Sequence, residues 1–126
     1  MSDLQVGEQI PELKITPDKY LTVRYAGASG DFNPIHIDEE FAQSVGLPGR
    51  ILHGLWTMSQ VARAVSQAGE LKRLEVQFRG MGFPEQEITV TASVTGVDGG
   101  VATIEAEAEQ GGRRIVRKGQ AEVRVG

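Results

Sequence analysis

The sequence predicts an α+β fold in which one antiparallel sheet wraps a single buried helix, and three observations predict it. From Gly54 to Ala68, "GLWTMSQVARAVSQA" carries an apolar stripe so wide that most of a helix circumference has to be covered. After Gly69 the apolar period drops to two, through Leu74, Val76 and Phe78, then Ile88 to Val94, Ala102 to Ala108, and Ala121 to Val125. "DGG" at 98–100 and "GG" at 111–112 join these runs as hairpins, so the second half reads as an antiparallel meander with one buried face. A wide-faced helix and one-faced strands bury each other as two layers.

Each element has its own signal. Thr16, Pro17 and Asp18 open a helix as cap, first helical residue and first-turn acid, which is expected to run to about Ala28. Tyr20, Val23 and Ala26 or Gly27 would line its buried side. The loop "GDFNPIH" follows, and Asp38 then caps a short helix, "EEFAQSVG", with Phe41 and Val45 four apart and Gly46 as its stop. "LPGRILHG" connects to the central helix. Glu105, Glu107 and Glu109 share one strand face, read as a solvated sheet face. Arg113, Arg114, Arg117 and Lys118 would attract the phosphates of a carrier, yet an ordinary soluble surface has the same composition.

The bulk numbers narrow the function classes. At 126 residues the chain fits one domain, 1–126, with a single core. Its 40% hydrophobic and 24% charged residues describe a globular protein, and a net charge of -4 argues against nucleic acid as a partner. No cysteine is present, which removes disulfides, thiolate catalysis and thiolate metal sites together. "MSDLQVGEQIPELKIT" lacks the basic start and apolar run of a signal peptide, and no window approaches the ~20 apolar residues of a membrane span. A cytoplasmic protein without membrane contact is therefore expected.

Two regions carry chemistry. Asp31 stands five residues before His36, one of only two histidines, with Gly30, Asn33 and Pro34 shaping the backbone around them. Turn chemistry alone accounts for "GDFNP". The second region changes the balance. "ILHGLWTM" puts Gly54 at the start of the buried helix, where backbone N–H groups lack intrahelical partners and the dipole is positive. A carboxylate, an imidazole and a helix end that accepts a ligand oxygen are the parts needed for proton transfer beside a carbonyl. Asn33 and Ser29 are weaker candidates, for holding the loop and for packing. His53 either shapes the pocket or is a structural residue at the helix start. His36, Asp38, Glu39 and His53 follow no standard ligand spacing, so no metal is expected.

The stretch "YAGASGDFNPIHIDEEFAQSVGLPGRILHGLWTMSQVARAV" resembles the hydratase signature of the MaoC-like family, the (R)-specific enoyl-thioester hydratases and (3R)-hydroxyacyl-thioester dehydratases of hotdog fold. The aromatic and small residues, Gly30-Asp31, Asn33-Pro34, His36 and the "HG" entering the helix carry the match over roughly residues 20 to 65; the later strands agree in pattern only. By this resemblance Asp31 and His36 share water activation and proton donation, and the Gly54 N–H is an oxyanion donor. The resemblance implies no cofactor, an acyl-CoA or acyl-ACP thioester as substrate, and a homodimer or a heterodimer with a related hotdog subunit. The alternatives are a hotdog thioesterase and a subunit completing a heteromeric dehydratase. The intact pair argues against the first and against an idle subunit.

Overall fold

The computed structural model describes residues 4–125. In chain order the elements are β1 (Gln9–Ile15), α1 (Leu21–Ser29), α2 (Pro34–Ile37), α3 (Glu39–Ser44), α4 (Gly54–Val65) with a 3₁₀ turn (Ser66–Ala68), β2 (Glu70–Phe78), β3 (Ile88–Asp98), β4 (Val101–Gln110) and β5 (Arg113–Arg124). The strands form one antiparallel sheet in the order β1-β3-β4-β5-β2. Among the described residues no helix is long and apolar enough to cross a membrane.

The core is the contact between α4 and the inner face of this sheet. Trp56, Val61, Ala64 and Val65 pack with Ile88, Val90, Val94, Ile104, Ala108, Val116 and Val123, most of them with almost no exposed surface. The helix touches all five strands. Burying each valine or isoleucine contributes on the order of 1.5–3 kcal/mol, so this seam supplies much of the driving force for folding. The α+β expectation and the central helix are met, with the last turn of 66–68 tightened to 3₁₀. The helix is less covered than its stripe implied: Leu55 is 66% exposed and Met58 half-buried, which leaves one side of α4 open in the single chain.

Three strands, β3 to β5, are the meander read from the hairpin glycines. β2 departs from it, because it pairs with β5 across the sheet rather than with its sequence neighbour β3. A register shift between Leu71 and Arg73 breaks its alternation, so Leu71 and Leu74 both pack against the core three apart, whereas Leu74, Val76 and Phe78 keep the period of two and Phe78, about half exposed, turns its ring toward Gly54 at the start of α4. β1 was not expected at all. Its inward residues, Ile10, Leu13 and Ile15, straddle a register shift at Pro11 and so lack the period of two.

The first helix also differs. It starts at Leu21, not Pro17, because residues 16–20 run on as a connector in which the Pro17 carbonyl accepts from Glu85 N at 2.6 Å. Asp18 acts just ahead of it, accepting from Tyr20 N and pairing with Arg24; that guanidinium holds the Asp18 carboxyl below the usual carboxylate range. Thr22 and Ala26 form the buried side, whereas Tyr20 and Val23 face out and Gly27 is exposed. In α3, Asp38 caps Phe41 N as expected, but Ala42 is the buried residue and Phe41 and Val45 are exposed. Glu105 and Glu109 lie on the outer sheet face, and Glu107 pairs with Arg114 there.

One buried polar side chain organises the β2–β3 connection. Gln110 is 1% exposed; its Oε1 accepts from Phe83 N, and its Nε2 donates to the carbonyls of Phe83 and Gln86. Together with the Leu52 N–H donated to Gly82 O, this holds residues 80–86 against the connector that precedes α4. Among the described residues no buried side-chain polar atom lacks a partner.

Close packing of the sheet yields a test. A Cβ at Gly119 would sit 2.6 Å from the Ala106 carbonyl oxygen, a backbone atom that cannot step aside. At Gly96 the nearest atom would be 3.8 Å away. Gly119→Ala should cost about 1–3 kcal/mol by overpacking, and Gly96→Ala should stay within about 0.5 kcal/mol of wild type. Urea melts of the two variants check this, and equal midpoints would contradict it.

Candidate active site

The Asp31 loop is built from short-range bonds. α1 ends on Gly30, whose left-handed conformation (φ 79°) turns the chain out of the helix while its N–H bonds Ala26 O. Ser29 Oγ then accepts from Asp31 N, Asp31 Oδ1 from Asn33 N, and Asn33 Oδ1 from Ile35 N. The last of these caps α2, a single turn with Pro34 at its first position. What reads as a tight turn is thus a capped helical turn, and it carries His36 inward. The weaker candidates Ser29 and Asn33 both bond the loop backbone.

His36 is 7% exposed and held by one bond of known direction. Its Nδ1 lies 2.8 Å from the Ile51 carbonyl oxygen, which can only accept, so Nδ1 carries a proton. The neutral ring therefore has its free lone pair on Nε2. That atom is 3.9 Å from Asp31 Oδ2, whose side chain is 53% exposed. Ile51 is itself tied back by its N–H to Ile35 O. No side-chain pattern announces a backbone acceptor, so Ile51 had no signal in the sequence.

Gly54 begins α4, and among the described residues its N–H has no hydrogen-bond partner. His36, Gly54, Thr57, Phe78, Met81 and Ile115 line one cavity of about 190 Å³. A Cβ on Gly54 would meet the Phe78 ring at 3.4–3.6 Å, so glycine keeps the helix end open to the cavity. Phe78, Met81 and Ile115 arrive from β2, its following connection and β5. They were missed because long-range packing alone brings them there. A larger concavity, of about 590 Å³, lies on the outer sheet face among Glu105, Glu107, Arg114, Arg117 and Lys118. It offers mixed surface charge but neither an imidazole nor a helix end, so the smaller cavity is where chemistry can occur.

His53 is 2% exposed, and it is the residue before α4. Its side chain makes no cap bond. Instead its Nε2 lies 3.0 Å from the Asp31 carbonyl oxygen, and its ring stacks on His36 with centroids 3.9 Å apart and planes 21° off parallel. Tyr25 tilts against it at 4.7 Å. One ligand atom each from Asp31, His36 and His53 lies within 4.8 Å of the others. Imidazole binds a metal in its own plane, and two nearly parallel stacked planes do not converge on one ion. Asp38 and Glu39 stand elsewhere, accepting from Phe41 N and Arg50 N.

Activity should accordingly survive dialysis against a chelator, followed by assay with and without added zinc. Loss on chelation with recovery on zinc would overturn the metal-free reading.

Known proteins share this architecture. Chain by chain, the fold matches that of an (R)-hydratase from A. caviae involved in PHA biosynthesis, with a TM-score of 0.89, 25% identity and full coverage of both chains. It also matches the ChsH1-ChsH2 complex of Mycobacterium tuberculosis, with a TM-score of 0.88 and 25% identity over 97% of this chain and 98% of that one. The fatty acid synthase beta subunit TOXC of Cochliobolus carbonum is 35% identical over 100 residues, 73% of this chain, yet the chain spans only 5% of TOXC's length. The model of the MaoC like domain matches residues 5–116, from the segment before β1 into β5. That span includes the loop, the connector and the helix on which the site is built, and the chain belongs to the MaoC-like dehydratase family, whose (R)-hydratases have the hotdog fold.

Proposed function

We propose that this chain catalyses the reversible hydration of trans-2-enoyl thioesters to (R)-3-hydroxyacyl thioesters, without a cofactor. The observation that carries the reading is the facing of His36 Nε2 and Asp31 Oδ2, 3.9 Å apart, with Gly54, whose N–H has no partner among the described residues, lining the same cavity as His36. A water bonded to both groups fits this separation at ordinary hydrogen-bond lengths. As its oxygen attacks C3, one member of the pair takes its proton, and a proton passes from the pair to C2. The pair ends with as many protons as it began, and one water has been added across the double bond. Because Ile51 O retains the Nδ1 proton, exchange at His36 runs through Nε2.

Between attack and protonation the thioester oxygen carries negative charge, and the Gly54 N–H at the start of α4 is the donor that receives it. Such a donor is typically worth about 2.7–4 kcal/mol, and a positioned acid or base about 10²–10⁴-fold. Ser29 and Asn33 support Asp31 through the loop backbone. The substrate is an acyl-CoA or acyl-ACP thioester, and residues 1–126 act as one domain.

Asp31→Asn preserves shape and removes the carboxylate from the pair, so hydration of crotonyl thioester should fall by about 10²-fold or more with an unchanged melting curve. Activity within a few-fold of wild type would sink the assignment. His36→Gln should act alike, and the double variant should lose little more than either single one because the pair works as a unit. Thioester cleavage, followed separately by thiol release, would instead indicate a thioesterase.

Assembly follows from what the single chain leaves open. β2 is an edge strand, and Leu55, Phe78 and Met81 are exposed near the cavity mouth. Unpaired edges beside apolar side chains are usually buried by another chain, and two-fold dimers are the commonest solution. The chain alone should give a dimer with hydratase activity by light scattering. An inactive monomer that gains activity on co-expression with a related hotdog subunit would indicate a heterodimer instead.

A further inference from the structure

We infer that His53 is a positioning residue, which fixes Asp31 against His36 and the start of α4 through its Nε2–H bond to the Asp31 carbonyl. This rests on the hydratase reading above and specifies how its site is held in register. The reason lies in how few bonds restrain the loop. Asp31 is exposed, and the side-chain bonds at Ser29, Asp31 and Asn33 all span two residues. Bonds of that range shape the loop but do not tie it to the rest of the fold. Among the described residues, the bond from His53, 22 positions away, is the only long-range hydrogen bond made by residues 30–33.

The remaining contacts of His53 complete the link. It immediately precedes Gly54, so its backbone is joined to the oxyanion donor, and its ring lies flat on the proton-transferring imidazole at 3.9 Å. Tyr25 also packs on it, with ring centroids 4.7 Å apart. The carbonyl it meets can only accept, so the His53 proton sits on Nε2, the opposite nitrogen from that in His36. With Nε2–H committed to the Asp31 carbonyl and its ring packed on His36, His53 acts through these two neighbours. A carboxylate, an imidazole and a helix end contributed by three separate segments are brought to one distance by this ring. Displacement of a reacting group by about 1 Å can cost on the order of 10²-fold in rate.

Two variants separate the bond from the packing. His53→Phe keeps a flat ring of similar size and loses the donor, whereas His53→Gln keeps an N–H at similar reach and loses the ring. In His53→Phe, kcat should fall about 10–10²-fold with KM within a few-fold of wild type, while His53→Gln should recover most of the loss. Amide hydrogen exchange gives a readout that needs no activity: residues 30–35 should exchange faster in His53→Phe, with α4 and the sheet unchanged. Unaltered exchange in that loop overturns the inference whatever the assay shows. So does a His53→Phe enzyme with wild-type kcat, an outcome that leaves the hydratase reading intact if Asp31→Asn still loses activity. Inactive wild-type protein would instead count against the hydratase reading, and the exchange result would then decide whether His53 holds the loop.

Discussion

The packing of α4 into the curl of the sheet is the constraint on which the rest depends. Val61, Ala64 and Val65 sit with essentially no exposed surface against residues from β3, β4 and β5, so the helix axis cannot slide without opening a void. A fixed axis means a fixed first turn. Gly54 therefore presents its N–H from a place set by the core, and the connector of residues 48–53 is drawn to the same end. From that connector Ile51 offers the carbonyl that orients His36, Leu52 bonds Gly82 O, and His53 reaches Asp31. The hydrophobic seam thus determines where the polar groups can meet.

This explains which parts of the fold were legible in the sequence. A stripe such as that of α4, and alternation such as that of β3 and β4, reflect burial against one broad apolar surface, and burial leaves a period in the sequence. β1 and β2 are the two edge strands, each with a single neighbour, and the pairing of β1 has one register shift and that of β2 two. An extra residue in β1 between Ile10 and Leu13, and in β2 between Leu71 and Arg73, leaves Ile10 and Leu13, and likewise Leu71 and Leu74, facing inward three apart. The early helix start had a different origin. Thr16-Pro17-Asp18 has the composition of a cap, but Pro17 is buried with its carbonyl engaged by Glu85 N, a contact from 68 positions along the chain that no local rule contains.

The site divides along the same line. Asp31, His36 and Gly54 stood out in the sequence because the chemistry proposed for them needs particular residue types on a backbone shaped by glycine and proline, and both constraints are written locally. The groups that orient them were not. The acceptor for His36 is a main-chain oxygen, the lining residues Phe78, Met81 and Ile115 come from distant strands, and His53 lies next to the helix start without capping it.

Hydrogen-bond direction adds information that residue identity lacks. The two histidines form a stacked pair, and residue type alone does not distinguish them as proton carriers. Each is held by a carbonyl oxygen, but through different nitrogens: Nδ1 for His36 and Nε2 for His53. The remaining lone pairs are consequently on different atoms, and only that of His36 lies 3.9 Å from the Asp31 carboxylate. Neither ring can exchange roles with the other unless it gives up a buried hydrogen bond, which costs about 1–3 kcal/mol for the acceptor left unsatisfied. Two like side chains side by side are in this way made unequal by their backbone partners, His36 with its free nitrogen toward the Asp31 carboxylate and His53 with its proton on the Asp31 carbonyl, which is the division of labour the proposed mechanism uses.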